Sequence, residues 1–262
     1  MTKETDNPLV LNVTGSNSKS LNSQMNKREL EMQNQIKELR NFAHVIAHDL
    51  RSPISTAYNF QNYIEDKLKN GEFDENEDFD MVSVIGRKLT DALNLIDDML
   101  NYAESGGKVD LDESCSIHDV ISLALSNLST SINKANALVS IHVDQFRLKG
   151  SLSLLSSIIM NIVSNSIKYC KVDTPPVVDI QAKIKDECAQ IIIYDEGRGI
   201  PEGDIDKIFN EFIRVKKYNS VSGSGIGLAT VKKIIKAHQG EISIKSIENE
   251  FTEVCITLPI LK

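Results

Sequence analysis

"NIVSNSIKY", residues 161–169, sets two side-chain amides four positions apart inside an otherwise apolar run. In a helix Asn161 and Asn165 share one face, and Lys168 follows three positions beyond the second. Asparagine is disfavoured in a helix interior because its amide competes for backbone hydrogen bonds, so a pair there needs a reason. One reason is a ligand. Amide oxygens suit Mg²⁺, a hard cation that keeps much of its water and phosphate coordination, and Lys168 could then neutralise phosphate charge. The other reason is a capping network with no ligand, and the segment by itself leaves both open.

Two glycine clusters follow. "DEGRGI", 195–200, comes directly off the predicted strand "AQIIIYD". Asp195 at a strand end can accept a hydrogen bond from a ligand, while Gly197 and Gly199 let a ligand or helix approach the backbone. Taken alone, this hexapeptide reads as an ordinary Asp/Gly turn. "SGSGIGLA", 222–229, places Gly223, Gly225 and Gly227 just before a predicted helix, where backbone amides and the helix N-terminus make an anion cradle. A dinucleotide fold needs a strand immediately before such a cluster, and the preceding "NEFIRVKKYNSV" is polar and loop-like. A Walker-type loop needs Lys-Ser/Thr after the glycines, and none follows.

Around these boxes the second half alternates between periods. A helix is expected from Ile117 to Ala135, a strand at "ALVSIHV", and a helix over "LSLLSSIIMNIVSNSIKYC". Val178, Ile180, Ala182 and Ile184 alternate as in a strand. "GLATVKKIIKAHQG" reads as a helix closing at Gly240, and "EISIKSI" and "TEVCITLP" as closing strands. A layer of helices on one face of a sheet is the expected architecture.

The first half has a different texture. Residues 1–24 are rich in Ser, Asn and Thr and are expected to be a flexible tail. From Met25 a seam of Met32, Ile36, Leu39, Ala43, Ile46 and Leu50 runs into "NFAHVIAHDLRSPIS", 41–55. Pro53 would kink the helix. The stripe resumes with Ala57, Phe60, Ile64 and Leu68, so a kinked helix is expected rather than a terminated one. "GEFDENEDFD", 71–80, carries six acids and no base, which suits a solvated turn. A second stripe follows in Met81, Ile85, Leu89, Ala92, Ile96, Met99 and Ala103. Two helices so joined form a hairpin whose wide apolar stripes call for a second copy, a dimeric four-helix bundle over residues 25–105. Residues 106–112 would be the linker and 113–262 the second domain, an α+β chain overall.

Composition excludes several classes. The chain of 262 residues is 41% hydrophobic and 25% charged, with a net charge of −8 and no basic stretch to track a nucleic acid. No apolar run is long enough for a membrane span and nothing resembles a signal peptide, so a cytoplasmic protein is expected. Cys115, Cys170, Cys188 and Cys255 have no close pairing, which argues against a zinc site or redox pair.

In order, Asn-x-x-x-Asn, Asp-x-Gly-x-Gly and Gly-x-Gly-x-Gly resemble the ATP-binding domain of histidine kinases, whose fold is shared with type II topoisomerases and Hsp90-type chaperones. "IFNEFIRV" between the glycine boxes, with Phe209 and Phe212, resembles the kinase F box, and "GIGLATVKKIIKAHQGEI" also matches the kinase pattern. "AHDLRSPI", 47–54, resembles the phosphoacceptor box on the first hairpin helix. The resemblance covers residues 28–262 and implies an ATP-dependent histidine kinase working as a homodimer. It implies His48 as phosphoacceptor with Asp49 orienting the imidazole. His44, one turn away, reads as packing or solvating the bundle, the other reading of a His pair at i, i+4 being a metal site. The resemblance further implies ATP with Asp195 on the adenine amine and Tyr169 near the ring. Asn165 would hold Mg²⁺ with Asn161 in support, and Lys168 would contact phosphate. Gly223, Gly225 and Gly227 would belong to a lid, with Arg214, and secondarily Lys216 or Lys217, supplying charge. A response regulator receiver domain would take the phosphoryl group. Input would come from a separate sensor protein or from a longer chain. Two positions depart from the pattern. Ser52 stands where phosphatase-competent relatives usually have Thr or Asn, and Arg198 stands where Pro or a small residue is frequent.

Overall fold

The computed structural model describes residues 14–104, 111–210, 213, 215 and 225–261. Two compact units divide the chain, residues 1–52 and 53–262. The border falls at Pro53 and not at the expected linker, most of whose residues lie outside the described ones.

The first helix, α1, spans Thr14–Asn70 and runs through Pro53 without a break, as the resumed stripe predicted. It begins earlier than expected: residues 14–24, read as tail, are helical. The second helix, α2, spans Glu75–Glu104. The acidic segment between them is only partly a solvated turn. Asp78 is fully buried, and its carboxylate accepts Lys67 Nζ at 2.8 and 3.0 Å and the Asp74 amide at 2.9 Å. One acid of the six thus fastens the turn, and Lys67 holds its carboxyl below the usual carboxylate range. Along α2, Ala92 and Leu95 are buried while Val82, Leu89, Leu93, Ile96 and Leu100 remain exposed. These five are spaced by seven, four, three and four positions, so they form one continuous apolar face.

The second half folds as a helix layer on a five-stranded sheet. The sheet contains β2 (Leu138–Val143), β4 (Val177–Lys185), β5 (Cys188–Asp195), β6 (Glu241–Ile247) and β7 (Phe251–Pro259). Their order is β2-β4-β5-β7-β6, with β2 parallel to β4 and every other pair antiparallel. In the two-residue β4–β5 turn, Asp186 and Glu187 take left-handed φ of 51° and 62°, as a tight hairpin requires. The layer over the sheet comprises α3 (Ile117–Asn127), α4 (Ser129–Ala135), α5 (Leu152–Lys168) and α6 (Gly227–Ala237). The single helix expected over 117–135 is divided at Leu128, whose φ of −93° and ψ of 0° end one helix and begin the next. α6 ends at Ala237, three residues short of the expected Gly240. A small antiparallel pair, β1 (Ser114–Ser116) with β3 (Arg147–Lys149), had no readable sequence signal because each strand is three residues long.

Alternation explains the core. Val178, Ile180 and Ala182 of β4 and Ala189, Ile191 and Ile193 of β5 turn inward against Leu155, Ile158, Ile159 and Ile162 of α5 and Val231, Ile234 and Ile235 of α6. Fully burying such side chains stabilises by roughly 1.5–3 kcal/mol each before entropy is counted.

Buried polar side chains in this layer include Ser156, Ser166, Thr230 and His238. His238 is fully buried; its Nδ1 donates to the Ile234 carbonyl at 2.8 Å, and its Nε2 has no hydrogen-bond partner among the described residues. Burial lowers its pKa below the ordinary 6.5, partly opposed by the Ile234 hydrogen bond. A depressed histidine pKa means the unfolded chain binds the proton more readily than the folded one. The corresponding stability is present above about 6.5 and is lost as pH falls through the folded value. Thermal midpoints should therefore fall between pH 7.5 and pH 5, and His238→Gln should flatten that fall. An unchanged pH slope in the variant would contradict the assignment.

Candidate functional site

Each box is placed by its secondary structure. Asn161, Asn165 and Lys168 lie on α5, whose inner face carries Leu155, Ile158, Ile159, Ile162 and Val163. Position 166 continues that buried stripe, yet it is a serine. Its hydroxyl, buried, lies 2.8 Å from Asp195 Oδ2 and 3.2 Å from the Ile162 carbonyl. With one proton to give, the hydroxyl serves the charged and nearer acceptor. Asp195 closes β5, and its other oxygen accepts the Gly197 amide at 2.9 Å. Burial pushes the Asp195 carboxyl above its ordinary pKa, while Ser166, Gly197 and the Lys171 charge oppose the rise. Each carboxylate oxygen keeps a second lone pair for a ligand.

The glycines are required where backbone approaches backbone. Gly199 has φ +61°, and a Cβ there would stand 2.1 Å from the Ile247 carbonyl oxygen. A Cβ on Gly197 would meet Asp195 Oδ1 at 2.6 Å and the Tyr169 carbonyl at 2.8 Å. Gly225 takes φ +69° just ahead of α6. Gly227, first residue of α6, lies so close to Asn161 that a Cβ would come within 2.5 Å of Asn161 Oδ1. The Asn161 amide is fixed from the other side, its Nδ2 donating to the Ser157 carbonyl at 2.9 Å. The first turn of α6 carries no acid, so no side chain of that turn neutralises the positive end of the helix.

These elements surround one cavity of about 450 Å³. Asn161, Asn165, Lys168, Tyr169, Asp195, Gly199, Gly225 and Gly227 line it, and all of them were singled out from sequence. Gly197 does not line it and acts from behind, as a close-approach position. Arg214, Gly223, Lys216, Lys217 and Phe212 lie outside the described residues. Phe209 of the F box has Lys232 Nζ 5.5 Å from its ring centroid. Sequence reading missed one wall altogether. Asn94, Asp97, Asp98 and Asn101 of α2 line the same cavity, and Lys233 of α6 donates to the Tyr102 carbonyl at 3.1 Å while lying 3.9 Å over the Tyr102 ring. Nothing in a helical stripe announces which of its polar residues will face another layer.

In the other unit, His48 and Asp49 stand on α1. His48 Nδ1 lies 3.0 Å from Asp49 Oδ1, and the His48 side chain is 78% exposed. The side chain of His44 lies outside the described residues.

Residues 150–262 match the family of histidine kinase-, DNA gyrase B- and HSP90-like ATPases. Similar curated proteins extend the likeness across both halves. The phytochrome-like protein Cph1 of Synechocystis is 28% identical over 233 residues, covering 89% of this chain and 30% of its own length. The sensor histidine kinase WalK of Bacillus subtilis is 28% identical over 241 residues, covering 87% of this chain and 38% of its own. The chain is similar in both halves to proteins named as sensor histidine kinases. It spans between 25% and 55% of the length of such relatives. Among solved structures, a mycobacterial sensor histidine kinase, MprB, is 25% identical with a TM-score of 0.50, covering 56% of this chain and 97% of its own. The histidine kinase ThkA in complex with the response regulator TrrA has a TM-score of 0.68 at 17% identity, covering 90% of this chain and 66% of its own, which shows the shared fold. A helical N-terminal region followed by an α/β sheet domain is thus the architecture of this chain, as the boxes implied. The sheet of its ATPase domain starts before residue 150, since β2 is one of its strands. No helix among the described residues is long and apolar enough to cross a membrane.

The cavity's donors fit a magnesium nucleotide. Asn161 and Asn165 offer amide oxygens, and the α6 N-terminus offers free amides for phosphate. Asp195 offers a carboxylate in the cavity wall. Among the described residues no group of three His, Cys, Asp or Glu side chains gathers as a metal site.

Proposed function

We propose that the chain is an ATP-dependent protein histidine kinase that phosphorylates His48 and hands the phosphoryl group to an aspartate of a response regulator receiver domain. The observation that carries this reading is the convergence of all three boxes on a single cavity, in a chain that also carries an exposed histidine clamped by a carboxylate. Asp195 accepts the adenine amine, and Tyr169 borders the ring. Asn165 is the residue that would hold Mg²⁺, which when bound supplies charge neutralisation at the phosphates. Lys168, the glycines of the third box and Arg214 add positive charge or amides around the triphosphate.

Asp49 holds Nδ1–H of His48, which fixes the tautomer and leaves the Nε2 lone pair as nucleophile. The Nε2–P bond forms as the bond from γ-phosphorus to the bridging oxygen breaks, ADP leaves, and the Nδ1 proton moves toward the Asp49 carboxylate. Such transfer depends on positioning and charge neutralisation more than on covalent help from the protein. Incubation with γ-labelled ATP tests the reading. Acid-labile, base-stable label that passes to a receiver domain supports it. Phosphate release without label supports a chaperone- or repair-type ATPase instead, and neither outcome would leave a docking scaffold.

A homodimer belongs to the same proposal. The exposed face of Val82, Leu89, Leu93, Ile96 and Leu100 is what a second hairpin would cover. The expected result is a dimer by analytical ultracentrifugation at micromolar concentration, with Leu93→Glu plus Leu100→Glu shifting it to monomer. A monomeric parent chain would refute the bundle.

A further inference from the structure

Arg198 interrupts a glycine box, and an arginine in a surface turn would ordinarily point its guanidinium to water. Here it is half-buried and does not line the cavity. Its Nε donates to the Cys170 carbonyl at 2.8 Å, and its backbone amide donates to the Tyr169 carbonyl at 2.9 Å. Tyr169 is the C-cap of α5, where helix carbonyls lack intrahelical partners. A single residue thus supplies donors to two consecutive carbonyls at that end, and brings a positive charge to the negative end of the helix. On its other side, the Arg198 carbonyl accepts the Asn249 amide at 2.7 Å. Asn249 sits in the β6–β7 turn, which is held further by Lys171 Nζ on the Glu250 carbonyl at 3.1 Å and by Ser246 Oγ, which accepts the Ile200 amide at 2.8 Å.

We propose that Arg198 is a positioning residue for the nucleotide base. It fastens the end of α5, with Tyr169, to the loop that starts at Asp195, so that the two sides of the base site keep a fixed spacing. Two close approaches agree with this role. Gly197 allows Tyr169 to come within a forbidden distance of any Cβ, Gly199 does the same for Ile247, and Arg198 lies between them. The cavity wall and the β6–β7 turn are therefore one mechanical assembly, joined through the main chain and side chain of residue 198.

This inference rests on the proposal that the cavity takes ATP, and the test separates the two. The full chain is titrated with a fluorescent ATP analogue, and ATP, ADP and adenosine are then measured by competition. Arg198→Met keeps the aliphatic stem and removes the donors. It should weaken all three ligands by the same factor, about tenfold, the value of one charge-assisted hydrogen bond. Arg198→Lys, whose ammonium can still reach the Cys170 carbonyl, should restore most of that loss. Unchanged affinity in Arg198→Met would overturn the inference. So would a loss that grows with the number of phosphates, which would make Arg198 a phosphate ligand. A lowered thermal midpoint with no recovery of affinity in Arg198→Lys would reduce the residue to a structural role and overturn it as well. A parent chain that takes up no analogue would overturn the nucleotide proposal itself, and this inference with it.

Discussion

His48→Gln is expected to remove all phosphoryl label from the chain while leaving the affinity for ATP unchanged. The imidazole is the reacting group, and an amide nitrogen, its lone pair delocalised into the carbonyl, cannot replace it. Glutamine also keeps the position polar and helix-compatible, so little else changes. The exposure of His48 makes a packing penalty small, and Asp49 loses only the hydrogen bond at its Oδ1. His44→Gln should retain the label. Labelling that survives in His48→Gln and disappears in His44→Gln would show that the acceptor has been misassigned.

The second large effect belongs to Gly199→Ala. Alanine at φ +61° carries left-handed backbone strain of about 1–2 kcal/mol. Its Cβ would also meet the Ile247 carbonyl oxygen at 2.1 Å and Glu248 Cα at 2.9 Å. Those are main-chain atoms of the β6–β7 turn, which cannot swing aside as the end of a lysine could. Adding overpacking of roughly 1–3 kcal/mol gives about 3 kcal/mol in all, or a thermal midpoint lower by about 10 °C for a unit of this size. ATP affinity should fall with it, because the displaced loop carries Asp195. Circular dichroism melts with and without ADP provide the measurement. A midpoint unchanged within a degree would mean that the turn yields freely.

The boxes were legible because each couples an unusual residue to a fixed local geometry. Two asparagines in an apolar helix, an aspartate ending a strand and glycines before a helix all signal backbone or polar needs that ordinary packing does not create. Sheet alternation in β4 and β5 was equally plain, since both strands bury one face only. What escaped is of another kind. Ser166 was readable in principle, as a polar residue on the inner stripe of α5, but its partner lies 29 residues away. The α2 wall of the cavity was not readable at all, because Asn94, Asp97, Asp98 and Asn101 look like any solvated helix face until the neighbouring layer is known. Asp78 went unnoticed within an acidic run for the same reason: burial of one acid among six depends on where Lys67 happens to reach. Arg198, a departure without a reading in the sequence, acquires one only from carbonyls that belong to another element.

The contact between Asn161 and Gly227 has a consequence for how such sequences can vary. The two positions are 66 residues apart in the chain, yet Asn161 Oδ1 occupies the space that any side chain at 227 would need. Residues in direct contact do not contribute additively, so the two sites form an epistatic pair. A residue larger than glycine at 227 requires the Asn161 amide to give up its present placement, hydrogen-bonded to the Ser157 carbonyl, or 161 to be shortened. Shortening 161 first costs the amide of a residue that lines the cavity. Either order passes through an impaired intermediate, and drift at one box is held in check by the other.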